Sequence, residues 1–110
     1  MTLRTLSAAC LAATVLAIVA APLHSEGDAT AGKSKTAMCA GCHGIAGFRS
    51  AYPETFHVPK LGGQNAAYIV SALKAYKAGD RNHPTMKAIA GSLSEQDMAD
   101  LAAYYSAAGK

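Results

Sequence analysis

The segment MCAGCHG, residues 38–44, holds two of the three cysteines of this 110-residue chain and one of its four histidines. Cys39 and Cys42 are separated by two residues, and His43 follows directly. Three kinds of site share this spacing of thiols: a redox-active dithiol, one half of a zinc site, and a covalent anchor for a larger group. The rest of the sequence decides among them.

The competing interpretations lack their usual context. A thioredoxin-like dithiol needs strands around it, and no alternating strand pattern is evident. A zinc site needs two further ligands, whereas His57 and His83 are isolated and no second C-x-x-C follows. C-x-x-C-H is the signature of c-type haem attachment. The sequence therefore predicts one haem c (heme c), attached through Cys39 and Cys42, with His43 as a ligand of its iron.

A sixth iron ligand is sought among the remaining methionines and histidines. Met38 is too close to Cys39 to reach the far side of the ring, and Met98 lies on an apolar helix stripe typical of a core. Met86 follows the segment NHP, residues 82–84, where a loop can cross the haem. Met86 is therefore the predicted second ligand, and His83 is its rival.

The N-terminal segment has the layout of an export signal. Arg4 precedes an apolar run from about Leu6 to Ala21, and small residues end it. The sequence predicts a signal peptide over residues 1–25, with cleavage between residues 20 and 25, followed by one domain over residues 26–110. An uncleaved N-terminal anchor is the alternative.

Three main helices are predicted in the remaining domain, which favours an all-α fold. They span about 28–38, 65–77 and 94–109. Asp28 and Ser94 are the predicted N-caps of the first and third helices, and Gly79 is the predicted stop of the second. A shorter helical piece is possible over 85–90. The segment between the first two helices is broken by glycines and prolines. We expect this long loop to pack against a bound group.

Composition limits the possible partners. The formal net charge is +3, and no run of like charges occurs. Nucleic-acid binding therefore has no support. The domain of roughly 85 residues is small enough to need a stabilising cofactor.

Three segments together resemble the class I cytochromes c of bacterial periplasms. They are GDATAGKSKTAMCAGCHG, VPKLGGQNAAYIVSALKAYKAGDRNHPTM and LSEQDMADLAAYYSA. The resemblance implies an all-helical fold around one haem, with Cys39, Cys42, His43 and Met86 as its attachment and ligand residues. It also implies that Gly32 faces the segment AAYY (residues 102–105) where the terminal helices cross, and that Pro59 offers its backbone carbonyl to the ring of His43.

The predicted function is electron transfer in the periplasm, with no catalytic site in the chain itself. Two protein ligands would close the iron to substrates, and lysines near the haem edge would steer weak docking to an acidic redox partner. The domain would be a monomer without membrane insertion after signal cleavage. The first alternative is a haem subunit of a larger periplasmic dehydrogenase or oxidase complex. Phe48, Tyr52 and Phe56 would then form a contact patch, unless they simply pack on the haem. The second is a sensor or catalyst with an open iron site.

Overall fold

A computed structural model describes residues 26–51 and 54–108. The predicted export signal, residues 1–25, lies outside these ranges. Five helices and one pair of two-residue strands follow in chain order: α1 (Ala29–Ser34), α2 (Ala37–His43), β1 (Arg49–Ser50), β2 (Phe56–His57), α3 (Ala66–Ala78), α4 (Pro84–Gly91) and α5 (Glu95–Ala107). The predicted all-α class is confirmed.

The first predicted helix is two helices. Asp28 caps α1 by accepting the amide N–H groups of Thr30 and Ala31, as expected. The helix stops at Lys35, whose amide returns to the carbonyls of the preceding turn, and α2 then begins after Thr36. The sequence prediction of a single helix over 28–38 was wrong, because the chain leaves the helical pattern at Lys35 and Thr36.

The predictions for α3 and α5 are confirmed by their end contacts. The Asn65 side chain accepts the amide of Tyr68, and Gly79 ends α3 at φ +90°, a left-handed conformation that favours glycine. Ser94 and Asp97 form a reciprocal capping box at the start of α5. These local signals are strong enough to be read without tertiary information.

Two local features differ from the sequence prediction. The strands β1 and β2 pair antiparallel, with Arg49 opposite His57 and Ser50 opposite Phe56. Two residues are too few to produce a recognisable alternation, so the pair was not predicted. Met86, expected in a loop as a ligand, lies in the first turn of α4, because Pro84 at the first position of this helix favours its start. The shorter helical piece predicted over 85–90 is confirmed by α4.

The buried core lies between the C-terminal helices. Leu93, Met98 and Leu101 form its centre, with Cys39, Leu73 and Tyr105 packed against them. Met98 is only 1% exposed, which confirms its expected place in the core. In the ranges 26–51 and 54–108, no helix combines the length and hydropathy needed to cross a membrane.

Helix α1 packs on α5 through a close approach at Gly32. A Cβ atom at this position would overlap the carbonyl of Asp100 and would lie 2.9 Å from the Cβ of Tyr104. Only glycine permits this contact without a shift of one helix. The expectation that Gly32 faces the AAYY segment is therefore confirmed at Tyr104.

Candidate haem site

A cavity of about 1000 Å³ opens beside α2 and is lined on its other sides by α3, α4 and the loop that carries β1 and β2. Its volume lies at the upper end of the range usual for small-molecule and cofactor sites. All five residues predicted for the site line it: Cys39, Cys42, His43, Pro59 and Met86. The fold thus brings residues that are up to 47 positions apart to one cavity.

Helix α2 orients the thiols and the imidazole together. Cys39, Cys42 and His43 stand at positions i, i+3 and i+4 of this helix, which share one face. The three side chains are half-buried and line the cavity. One short helix therefore offers two covalent anchor atoms and one metal ligand side by side.

The orientation of the His43 ring is fixed by a backbone carbonyl. His43 Nδ1 lies 2.7 Å from the carbonyl oxygen of Pro59. A carbonyl only accepts, so Nδ1 carries the proton and donates it. The lone pair of the neutral ring is then on Nε2, the atom left available to a metal ion. Such an outer hydrogen bond commonly sets the tautomer of a histidine ligand.

Burial shifts the pKa of two side chains that line the cavity. It raises the pKa of Cys39, and a hydrogen bond with the Tyr105 hydroxyl opposes this effect only partly. Burial also raises the pKa of Tyr105 to about 12, helped by its contact with Cys39. Cys39 and Cys42 are both free thiols.

The long loop supplies aromatic side chains to the cavity. Phe48 and Phe56 are half-buried and line it. These positions agree with the alternative that Phe48 and Phe56 pack on the haem rather than form a contact patch. Tyr52, the third residue of that expected patch, lies outside the described residues.

The charged residues that line the cavity are all basic. They are Arg49, Lys60 and Arg81, and no Asp or Glu is among the described lining residues. The guanidinium carbon of Arg81 lies 4.5 Å from the centre of the Tyr76 ring, which holds this cation against the cavity wall. The cavity is thus suited to a largely apolar group that carries negative charge at its edge.

Sequence reasoning missed the role of His83. It is the N-cap of α4, where its Nδ1 accepts the amide N–H of Met86 at 3.3 Å. Its ring centre lies 4.1 Å from that of Phe56 and 6.3 Å from that of Tyr76. The signal that would have found it is the pair His83-Pro84, because proline favours the first helical position directly after a cap.

The residues present fit a covalently bound haem. Two free thiols provide its anchors, an imidazole and a thioether provide nitrogen and sulfur ligands, and the lining is mainly apolar. The region beside the cavity is loosely packed by protein side chains, since no described residue between 36 and 68 is fully buried. A large apolar group would complete the packing of this region.

Comparison with known proteins agrees with this fit. The profile of the family described as "Cytochrome c" matches residues 29–107. Cytochrome c-554(548) of Halomonas halodenitrificans is 44% identical over 85 residues, which cover 73% of this chain and 95% of that protein. Cytochrome c4 of Pseudomonas aeruginosa is 42% identical over 82 residues, which cover 74% of this chain and 39% of that protein.

A solved structure shows the same fold. The crystal structure of reduced recombinant cytochrome c4 from Pseudomonas stutzeri matches with a TM-score of 0.55 and 28% identity, covering 76% of this chain and 52% of that one. The chain thus spans about two fifths to one half of the cytochromes c4 and nearly all of cytochrome c-554(548).

The fold and the cavity define a small c-type cytochrome domain. The profile match covers most of the chain, and the relatives exceed 40% identity. The chain belongs to the cytochrome c family, and its cofactor is one covalently bound haem c. The predicted resemblance and cofactor are both confirmed.

Proposed function

We propose that this chain is a periplasmic electron carrier whose haem is held by Cys39 and Cys42 and ligated by His43 and Met86. The observation that carries the proposal is the meeting of two thiols, an imidazole and a thioether in one cavity. Haem, when bound, supplies an iron that exchanges single electrons. The side chains of this protein must hold the haem, keep its ligands in place and contact the redox partner.

The protein side chains keep the iron site unchanged between redox states. His43 is held by Pro59, and Met86 lies in a capped helix, so both ligands are constrained before any electron arrives. With His43 and Met86 both bound to the iron, no position would be left for a substrate. A thioether ligand and an apolar pocket both raise the reduction potential.

The predicted location rests on the N-terminal sequence. Residues 1–25 have the pattern of an export signal, and the named relatives come from bacteria. Export to the periplasm allows haem attachment outside the cytoplasm. We expect protein from the periplasmic fraction to have the mass of a chain that begins between residues 21 and 26, plus one haem.

Partner binding rests on the basic residues around the cavity. Arg49, Lys60 and Arg81 give this face one sign of charge among its described lining residues. A face of this kind steers an acidic redox partner into a weak and short-lived contact. Salt should therefore slow electron transfer to such a partner.

The test of the iron ligands is Met86→Ala in the haem-loaded protein. We expect the covalent haem to remain, the sulfur-to-iron absorption band of the ferric form to disappear, and the reduction potential to fall. The matched control is Met98→Leu, a core substitution of similar volume that should keep the band. A Met86→Ala protein with an unchanged spectrum would rule out Met86 as a ligand.

Two measurements separate this proposal from its alternatives. A haem subunit of a larger complex would elute from gel filtration of a native extract with its partners, whereas a free carrier elutes alone. A sensor or catalyst with an open iron site would bind carbon monoxide rapidly and tightly in the ferrous state. The proposed carrier should bind it slowly and weakly, because Met86 must first leave.

A further inference from the structure

The amide of Met86, the proposed iron ligand, is itself held by a neighbouring side chain. Met86 is the third residue of α4, and its N–H is one of those that the helix cannot satisfy internally. His83 Nδ1 accepts this N–H at 3.3 Å, towards the long end of the hydrogen-bond range. The backbone from which the thioether extends is therefore tied to the imidazole of His83.

Histidine is an unusual residue for this task. Ser, Thr, Asp and Asn are the strongly preferred N-caps, because their short side chains reach the first amides of the helix. The two longest helices, α3 and α5, use Asn65 and Ser94. A larger ring at the start of α4 indicates that it does more than satisfy one donor.

The ring of His83 joins three parts of the cavity. It packs at a tilt of 43° on Phe56 of β2, and it meets Tyr76 of α3 edge-on at 82°. Aromatic pairs at these separations stabilise a defined arrangement. His83, Phe56, Tyr76 and Met86 all line the cavity. The start of α4 is thus fixed relative to both the loop and α3.

From this geometry we propose that His83 is a positioning residue for Met86. It fixes the first turn of α4 by accepting the Met86 amide, while Phe56 and Tyr76 hold its ring in place. The proposal rests on the proposed role of Met86 as an iron ligand. Because Nδ1 of His83 accepts the Met86 N–H, the proton of its neutral ring is on Nε2, so neither ring nitrogen offers a free lone pair to the iron in this arrangement.

Three substitutions separate the two features of His83. His83→Asn keeps a cap acceptor and removes the ring. His83→Phe keeps a ring of similar shape and removes the acceptor. His83→Ala removes both, and the two other variants keep the proposal testable if the alanine variant does not fold.

The measurement is the displacement of Met86 by added imidazole in the ferric, haem-loaded protein at fixed pH. A thioether that is held less firmly is displaced at lower imidazole concentration. We expect the apparent dissociation constant to fall about fivefold in His83→Phe and His83→Ala, as a lost N-cap implies. In His83→Asn it should stay within about twofold of wild type, which is rescue by an acceptor.

Ser94→Ala is the matched control. It removes the cap of α5, another N-terminus that does not carry the proposed ligand, so it should lower thermal stability without changing imidazole affinity. If a general loss of stability were the cause, Ser94→Ala would lower the apparent dissociation constant of imidazole as much as His83→Ala does. Such a result would assign His83 a purely structural role and overturn the proposal.

The remaining outcomes distinguish the two proposals. If Met86→Ala loses the sulfur-to-iron band but His83→Phe and His83→Ala bind imidazole like wild type, positioning by His83 is wrong and the ligand assignment stands. Positioning is equally wrong if His83→Asn behaves like His83→Ala, since the acceptor would then be irrelevant. If Met86→Ala changes neither band nor affinity, the ligand assignment fails and the positioning role fails with it.

Discussion

Two regions of this molecule are stabilised in different ways. The seam, which we define as the contact of residues 27–35 with residues 94–104, is held by contacts within the polypeptide. The wall, defined as the described residues from 36 to 68, supplies part of the lining of the cavity and contains no fully buried residue. Because a bound haem would cover the wall and not the seam, we expect the wall to depend on the haem and the seam to be stabilised by the chain alone.

The seam combines close packing with a buried polar network. Gly32 meets the backbone of α5 directly. Asp100, only 3% exposed, accepts the amide of Asp28 at 2.8 Å, the Lys35 ammonium at 2.6 Å and the Gln96 amide at 2.7 Å. A buried carboxylate is tolerated when it is paired and hydrogen-bonded in this way.

The wall has few such contacts. Its defined polar link across the cavity is the bond from His43 to the Pro59 carbonyl. Ile45 and Tyr68 remain about half exposed, at 51% and 53%. Since the wall lines the haem cavity, we expect the bound haem to complete the packing of this small domain. Removing the haem should therefore affect the two regions unequally.

The largest effect is expected when the haem cannot be attached. In the double variant Cys39→Ala, Cys42→Ala, amide hydrogen exchange should become nearly unprotected in residues 44–64. Protection in α5 should remain roughly tenfold or more above that of the wall, because local stability follows buried contacts. The control is the haem-loaded wild type, in which both regions are protected. Equal loss in the two regions would show that the seam has no stability of its own.

A second substitution breaks the seam and leaves the wall in place. Gly32→Ala puts a Cβ against the Asp100 carbonyl, so α1 and α5 must separate. We expect the free energy of unfolding to fall by about 3 kcal/mol, the upper range for overpacking. Denaturant unfolding of the haem-loaded protein measures it.

The matched control for Gly32→Ala is Gly91→Ala. Gly91 ends α4, and a Cβ there has no atom within 4 Å. Alanine should therefore be neutral or slightly stabilising, because it lowers the entropy of the unfolded chain. If both variants lose similar stability, the close approach at Gly32 is not what holds the seam.

The sequence predicts the parts of this fold that depend on local signals. Asp28, Asn65 and Ser94 begin helices because each accepts nearby amides, and this needs no tertiary information. The attachment motif is local in the same sense, since the spacing of Cys39, Cys42 and His43 places them on one helix face.

Contacts between residues that are far apart in the chain could not be predicted from the sequence. Lys35 has the sequence context of an ordinary surface lysine, but it bridges Asp97 at 2.8 Å and Asp100 at 2.6 Å across the seam. The paired residues are 62 and 65 positions apart in the sequence. Sequence patterns relate only residues that are a few positions apart, so they cannot predict this pairing. The stacking of His83 on Phe56 escaped prediction for the same reason.

After haem removal and Gly32→Ala, the smallest expected effect on stability comes from the charged residues of the seam. The Lys35 ammonium, with the Asp28 amide and the Gln96 side chain, lowers the pKa of Asp100 from 3.8 to about 2. A carboxylate with a lowered pKa stabilises the fold above its ordinary pKa. This contribution is lost as the pH falls through its folded-state value. Asp100 should therefore contribute fully above about pH 4 and hardly at all below about pH 2.

Asp100→Asn tests this pH window. The substitution keeps the size of the side chain and one acceptor, so we expect a smaller loss of stability at about pH 6 than in Gly32→Ala. Glu95→Gln is the control: it removes the same charge from an 84% exposed side chain and should change little. The deficit of Asp100→Asn relative to wild type should shrink between about pH 4 and about pH 2, measured by denaturant unfolding at each pH. A deficit that stays constant over this interval would mean that the shape of Asp100, and not its charge, holds α1 against α5.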